Sequence, residues 1–189
     1  MSNVRQKFCS LPDISRLASD VSRLTSPVSP IFTSMNIFNI RVYGILINEK
    51  KQVLVSDEFI RGNYYTKFPG GGLEFGEGTR DCLKREFKEE MNLDVEVGDH
   101  IYTTDYFQVS AFHPGHQIIS IYYYVKALEE IKVPLRDKAF DFDETQLTVY
   151  KETGETETFR FVAWDDLSAE CVTLPIDKIV VNKLKGSIS

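Results

Sequence analysis

Residues Gly71 to Leu93 read GGLEFGEGTRDCLKREFKEEMNL. The stretch Thr79–Met91 holds neither glycine nor proline and reads as a helix, with Thr79 as its expected N-cap and Asp81 well placed in the first turn. Leu83, Phe87 and Met91 recur every four residues and form an apolar stripe, which predicts that the helix buries that side against a sheet. Glu86, Glu89 and Glu90 stand at i, i+3 and i+4, so their carboxylates project from a neighbouring side. Such a cluster repels itself and raises its own pKa values; Lys84, Arg85 and Lys88 relieve part of that cost. A loop carrying Glu74 and Glu77 precedes the helix, and Gly70, Gly71 and Gly72 let backbone come close to a ligand. Carboxylates clustered beside a backbone carbonyl suit a hard cation such as Mg²⁺, which prefers oxygen ligands and bridges to phosphates. A solvated acidic surface is the plain alternative.

Outward from this segment, strands predominate. Ile37–Ile47 is rich in β-branched and aromatic residues and predicts a buried strand. Asn48–Lys51 reads as a hairpin turn, Gln52–Ile60 as the returning strand, and Tyr64–Phe68 as a third, ended by Pro69 and the glycines. Further strands are expected at Ile101–Phe112, Ile118–Ala127, Leu147–Lys151 and Glu157–Trp164, a helical turn at Asp165–Leu167 and a helix at Pro175–Leu184. Helices interrupt the strands irregularly, which predicts an α+β fold rather than a regular βαβ winding.

The Gly71–Leu93 segment resembles the Nudix box, G-x5-E-x7-R-E-U-x-E-E-x-G-U, where U is aliphatic. Gly71, Glu77, Arg85, Glu86, Glu89, Glu90 and Leu93 fill its positions. Phe87 stands where a smaller aliphatic residue is usual, a change of packing rather than chemistry. Asn92 replaces the last glycine, at a helix end where asparagine is the best substitute for a left-handed residue. The KFPGGGLE run and Phe161–Leu167 extend the likeness.

The resemblance implies a Nudix fold, a mixed β-sheet sandwiched between helices, over residues 35–189. It implies hydrolysis of a phosphoanhydride bond in a nucleoside diphosphate linked to another group, by in-line attack of water, with Mg²⁺ or Mn²⁺ as cofactor. Glu86, Glu89, Glu90 and the carbonyl of Gly70 are the implied metal ligands. Arg85 is expected to hold Glu77 or Glu86 in position, and Glu86, Glu89, Arg85 and Glu77 form the expected catalytic set. Glu86 is the first choice for direct involvement. Among later acids, Asp141, Asp143, Glu144 and Glu157 stay unranked as general base. Arg61, Lys67, Gly71 and Gly72 are candidates for substrate binding. A nucleotide-binding sensor without hydrolysis is the alternative, although such a domain is expected to lose box carboxylates that this chain keeps. An isopentenyl-diphosphate isomerase is a weaker one, because the Cys and His positions do not suit it.

The rest of the chain narrows the field. The 189 residues are 42% hydrophobic and 26% charged, the balance of an ordinary folded protein. A net charge of -6 argues against a nucleic-acid partner, and no apolar run reaches membrane-span length. Cys9, Cys82 and Cys171 are too scattered for a disulfide framework, which suggests reduced thiols and a cytoplasmic protein. Residues 1–34 hold eight serines and a net +2, against -8 for the remainder, with no secretory apolar core. Ile14, Leu17, Val21 and Leu24 permit a short helix there, ended by the TSPVSP stretch. A weakly docked extension and a partner-binding or dimer-docking helix both remain open, and no residue decides whether the protein is a homodimer. His113 and His116 flank a predicted turn, where a solvated loop and a substrate loop compete. Tyr122 and Tyr124 are candidates for base stacking, whereas Phe68 and Trp164 read as core.

Overall fold

The computed structural model describes residues 37–113 and 115–186; the reading of residues 1–34 lies outside these. Among the described residues, seven strands form two sheets. The elements run β1 (Ile37–Leu46), β2 (Gln52–Ile60), β3 (Asn63–Lys67), β4 (Gly70–Gly72), α1 (Thr79–Met91), β5 (Val95–Thr103), β6 (His116–Ala127), α2 (Glu144–Thr153), β7 (Glu155–Ala163), a 3₁₀ turn (Ala169–Cys171) and α3 (Pro175–Gly186). One sheet has the order β4-β1-β6-β5 and the other β3-β2-β7. The first is mixed, because β1 and β6 are parallel while β1–β4 and β5–β6 are antiparallel.

Alternation along β1 explains why Val42–Leu46 is continuously apolar. Val42 and Leu46 join a core with Leu83, Phe87 and Met91 of α1, whereas Tyr43 and Ile45 join a second core with Ile176, Val180 and Leu184 of α3. A strand covered on both faces has no side to leave polar. Gly44 lets α1 approach: a β-carbon there would meet the Phe87 ring at 2.7 Å. The bulky Phe87 of the box thus fits because β1 has no side chain opposite it. Helix α1 ends at Asn92, which takes the left-handed conformation (φ 49°, ψ 39°), as its sequence position predicts.

Three local expectations are corrected. Leu147–Lys151 is not a strand but lies within α2. Its β-like alternation is overridden by a capping box, in which Asp143 accepts from the Gln146 amide while the Gln146 side chain accepts from the Asp143 amide. Gly154 in the left-handed region (φ 81°) stops the helix. The strand expected at Ile101–Phe112 is β5, Val95–Thr103; Gly98 obscured it, and register shifts after Val97 mark the irregularity. The N-cap of α1 is Gly78, since the Thr79 hydroxyl instead shares a hydrogen bond with Tyr123 Oη at 2.9 Å.

Candidate active site

Packing of Cys82, Leu83, Phe87 and Met91 fixes how α1 is rotated. Successive helical residues turn by about 100°, so Glu86 and Glu90 fall nearly in line, while Glu89 is swung away from Glu90. The structure shows the consequence. Glu86 and Glu90 line a cavity of about 670 Å³ with Gly70, Gly71 and Gly72, whereas Glu89 does not line it. The Glu89 side chain is 61% exposed and meets Arg85 at 3.1 Å.

Arg85 ties the glycine-rich loop to the helix. Its Nη2 donates to Glu77 Oε1 at 2.7 Å and to the Gly72 carbonyl at 3.0 Å, its Nε to Glu77 Oε2 at 3.1 Å, and its Nη1 to Glu86 Oε1 at 3.0 Å. Hydrogen bonds from Arg85, then from the Glu74 amide, hold the Glu77 carboxyl down at about 2. Burial, then a hydrogen bond to Glu77, pushes the Cys82 thiol up to about 12, so it stays protonated.

The glycines form the opposing wall. Gly70 takes φ 131°, and a β-carbon there would strike the Val42 carbonyl at 2.2 Å, so no other residue fits without displacement. The Gly70 carbonyl, expected as a metal ligand, accepts a long 3.5 Å hydrogen bond from Lys67 Nζ. Lys67 is buried and pairs with Glu58 at 2.7 Å. Burial is the largest influence and opposes its charge, but Glu58, Tyr43 and Glu90 together outweigh it and the pKa is raised.

The β2–β7 register sets Glu157 directly across from Glu58, and both line the cavity. Five carboxylates, Glu58, Glu86, Glu90, Glu155 and Glu157, therefore line one space, with Lys67 committed to the first. Burial and then the charge of Glu157 push the Glu90 pKa upward; burial and then Glu58 do the same for Glu157. Glu90 Oε2 is buried without any hydrogen-bond partner among the described residues. An orphaned buried carboxylate oxygen beside two other acids is the environment that an oxygen-loving divalent cation relieves. These residues fit such an ion, although among the described residues no three His, Cys, Asp or Glu side chains already close into a ligand cage.

The remaining candidates separate cleanly. Arg61 lines the cavity at the β2–β3 turn in a left-handed conformation (φ 48°), and its amide donates to the Gly154 carbonyl at 2.9 Å. Of the four later acids raised as candidate bases only Glu157 lines the cavity; Asp143 caps α2 and pairs with Arg136 at 2.5 Å, and Asp141 and Glu144 lie outside the lining. His113 lines the cavity and stacks on His116 at 5.2 Å. Tyr122 also lines it, but its hydroxyl donates to Asp177 at 2.6 Å beneath, and Tyr124 is 40% exposed outside the lining. Phe68 is buried in the core and Trp164 packs against it. Sequence reasoning missed Glu58 and Arg41, whose places depend on strand register.

A family model for the NUDIX domain matches residues 38–181. The chain belongs to the NUDIX domain family. An RNA pyrophosphohydrolase from Ruthia magnifica subsp. Calyptogena magnifica is 41% identical over 54 residues, 28% of this chain and 29% of that protein. This Nudix chain thus matches under a third of the length of that curated relative. Among solved structures, a NUDIX hydrolase from Nitrosomonas europaea superposes with a TM-score of 0.57 at 17% identity, covering 79% of this chain and 89% of that one. The MutT protein from Methanosarcina mazei Go1 gives 0.58 at 16% identity, covering 82% and 98%. At such identities these two show a shared Nudix fold. No helix among the described residues is long and apolar enough to cross a membrane.

Proposed function

We propose that this chain is a Nudix pyrophosphohydrolase that uses Mg²⁺ or Mn²⁺ to cleave a phosphoanhydride bond in a nucleoside diphosphate linked to another group. The partnerless buried oxygen of Glu90, which feels the charges of Glu157 and Glu86, carries this reading. Glu86, Glu90 and the Gly70 carbonyl would hold the ion; Glu89, the third box acid expected among the ligands, lies outside the cavity lining and pairs with Arg85. When bound, the cation would neutralise charge on the phosphate oxygens and acidify the attacking water.

The protein side chains supply the rest. Glu157 is the acid best placed to accept the proton from water. Ser56 Oγ donates to Glu157 Oε2 at 3.1 Å, which leaves Oε1 for that proton. Its upward-shifted pKa brings it toward the operating range of a general base. Arg85, held by Glu77 and Glu89, positions Glu86 rather than touching substrate. Arg61 and Lys67 would meet phosphate oxygens, and Gly71 and Gly72 leave room for the substrate to approach. Residues 35–189 form the catalytic domain in this proposal; the family match over 38–181 supports it. We place it in the cytoplasm, the setting that its few scattered cysteines fit.

The test is a screen of phosphoanhydrides with Mg²⁺ or Mn²⁺, reading released phosphate after phosphatase coupling. The panel covers nucleoside triphosphates, nucleotide sugars, ADP-ribose, non-nucleotide diphosphates and, prompted by the curated relative's name, an RNA oligonucleotide with a 5′ polyphosphate. Turnover that is lost in both Glu90→Gln and Glu157→Gln is the expected result. Full activity in both variants would exclude the mechanism, and saturable nucleotide binding without phosphate release would favour a sensor.

A further inference from the structure

Besides Arg61 at the β2–β3 turn, the cavity is lined by a second cation that makes no ion pair among the described residues, Arg41. Arg41 lies in β1, paired with Gly72 of β4 on one side and Ser120 of β6 on the other. Its side chain lines the same cavity as Glu86 and Glu90, on the glycine wall. Its Nη1 would lie only 3.9 Å from a β-carbon at position 72. Lys67, Arg85, Arg136 and Arg160 each have a carboxylate within ion-pair distance, but among the described residues Arg41 has none.

Arg41 is nonetheless oriented. Its Nε donates to Tyr43 Oη at 3.0 Å. Tyr43 is itself held, buried in the core with its ring 5.3 Å from that of Tyr122, whose hydroxyl is anchored on Asp177. One edge of the guanidinium is therefore fixed by a rigid phenol, and neither Nη has a hydrogen-bond partner among the described residues. A planar guanidinium held by one edge presents two parallel N–H groups, the geometry that grips a phosphate by two oxygens. A half-buried cation without a carboxylate would be a poor structural element.

We propose that Arg41, positioned by Tyr43, is a binding residue for a phosphate of the substrate other than the one attacked. The inference rests on the pyrophosphohydrolase reading and deepens it: the substrate must present a second phosphate group on the side of Gly72. It also explains how a polyanion enters a space lined by five glutamates, since the guanidinium on the glycine wall offers it a positive charge.

The experiment titrates inorganic pyrophosphate, in the presence of Mg²⁺, into wild type, Arg41→Met and Arg41→Lys by isothermal calorimetry. Thermal shifts with Mg²⁺ alone report the fold and the ion site. Arg41→Met is expected to bind pyrophosphate about tenfold to a hundredfold more weakly, with Arg41→Lys between it and wild type. Its Mg²⁺ shift stays at the wild-type value. In turnover assays KM rises more than kcat falls. Wild-type pyrophosphate affinity in a folded Arg41→Met variant would overturn the inference, and Arg41→Lys with undiminished affinity and unchanged KM would do so if the methionine variant does not fold. Metal-dependent hydrolysis with Arg41-independent binding removes this inference alone. Arg41-dependent binding in a protein that hydrolyses nothing removes the hydrolase reading and keeps the phosphate site.

Discussion

A β-carbon at position 71 would fall 2.3 Å from the carboxylate carbon of Glu86. The glutamate occupies room that only glycine leaves open. This contact links the first residue of the box to its central acid, fifteen positions later, and it ranks the box glycine as a packing requirement of the site.

Gly71→Ala therefore displaces the Glu86 carboxylate from Arg85 and from the cavity. Shifting a reacting group by about 1 Å costs about 10²-fold. We expect a loss of that order in kcat/KM, with weaker Mg²⁺ binding and an almost unchanged melting temperature. Steady-state kinetics beside a thermal melt checks it; unchanged kinetics would mean that Glu86 tolerates displacement.

Arg85→Lys keeps the charge but loses the fork that reaches Glu77, Glu86 and the Gly72 carbonyl together. A point charge cannot hold all three. The expected outcome is a tenfold to hundredfold loss of activity, about the cost of removing a supporting partner, and a stability loss of about 1–3 kcal/mol. Urea denaturation and kinetics on the same preparation measure both.

Asp177 is wholly buried, and burial raises its pKa from 3.8 to about 7, against the hydrogen bond from Tyr122, which lowers it. Between those values the folded state keeps a proton that the unfolded chain has released. Stability thus falls as pH rises from about 4 to about 7, and this contribution levels off above. The urea midpoint of the metal-free protein should be higher near pH 5 than near pH 8. Asp177→Asn should flatten that slope, leaving the part due to Glu90 and Glu157, whose pKa values are raised in the same sense. A midpoint that rises toward pH 8 in wild type would contradict the assignment.

Gly44 and Phe87 should behave as a coupled pair. Gly44→Ala drives a methyl into the Phe87 ring and the Val125 side chain, both 2.7 Å away, and overpacking of this kind costs about 1–3 kcal/mol. On a Phe87→Leu background the penalty should shrink, because the ring is gone. Denaturation of the four proteins of the double-mutant cycle gives the coupling directly; strict additivity would show that the ring yields without cost.

What was legible in the sequence follows a physical boundary. Helix α1, its stripe and its Asn92 terminus depend on residues within a few turns of one another, and these read correctly. Glu86, Glu90 and Gly70–Gly72 were brought to one cavity for the same reason. Glu58, Glu157 and Arg41 reach it through pairing register, Glu58 opposite Glu157 and Arg41 opposite Gly72, which no short-range spacing encodes. Helix α2 lies on the other side of that boundary: Leu147–Lys151 looks like a strand in isolation, but the Asp143 and Gln146 cap upstream of it makes it helical.

Helix α2 buries none of its residues, yet Val149 and Thr153 line the cavity. It is held by Tyr150 stacked on Phe59 at 3.9 Å and by Gln146 donating to the Glu157 carbonyl at 2.7 Å. The other helix of the lining, α1, is clamped by a full apolar stripe. The chamber thus has one stiff wall and one yielding wall: amides of α2 should exchange with solvent well ahead of those of α1, and substrates of unequal bulk would be accommodated on the α2 side while the glutamates stay where they are.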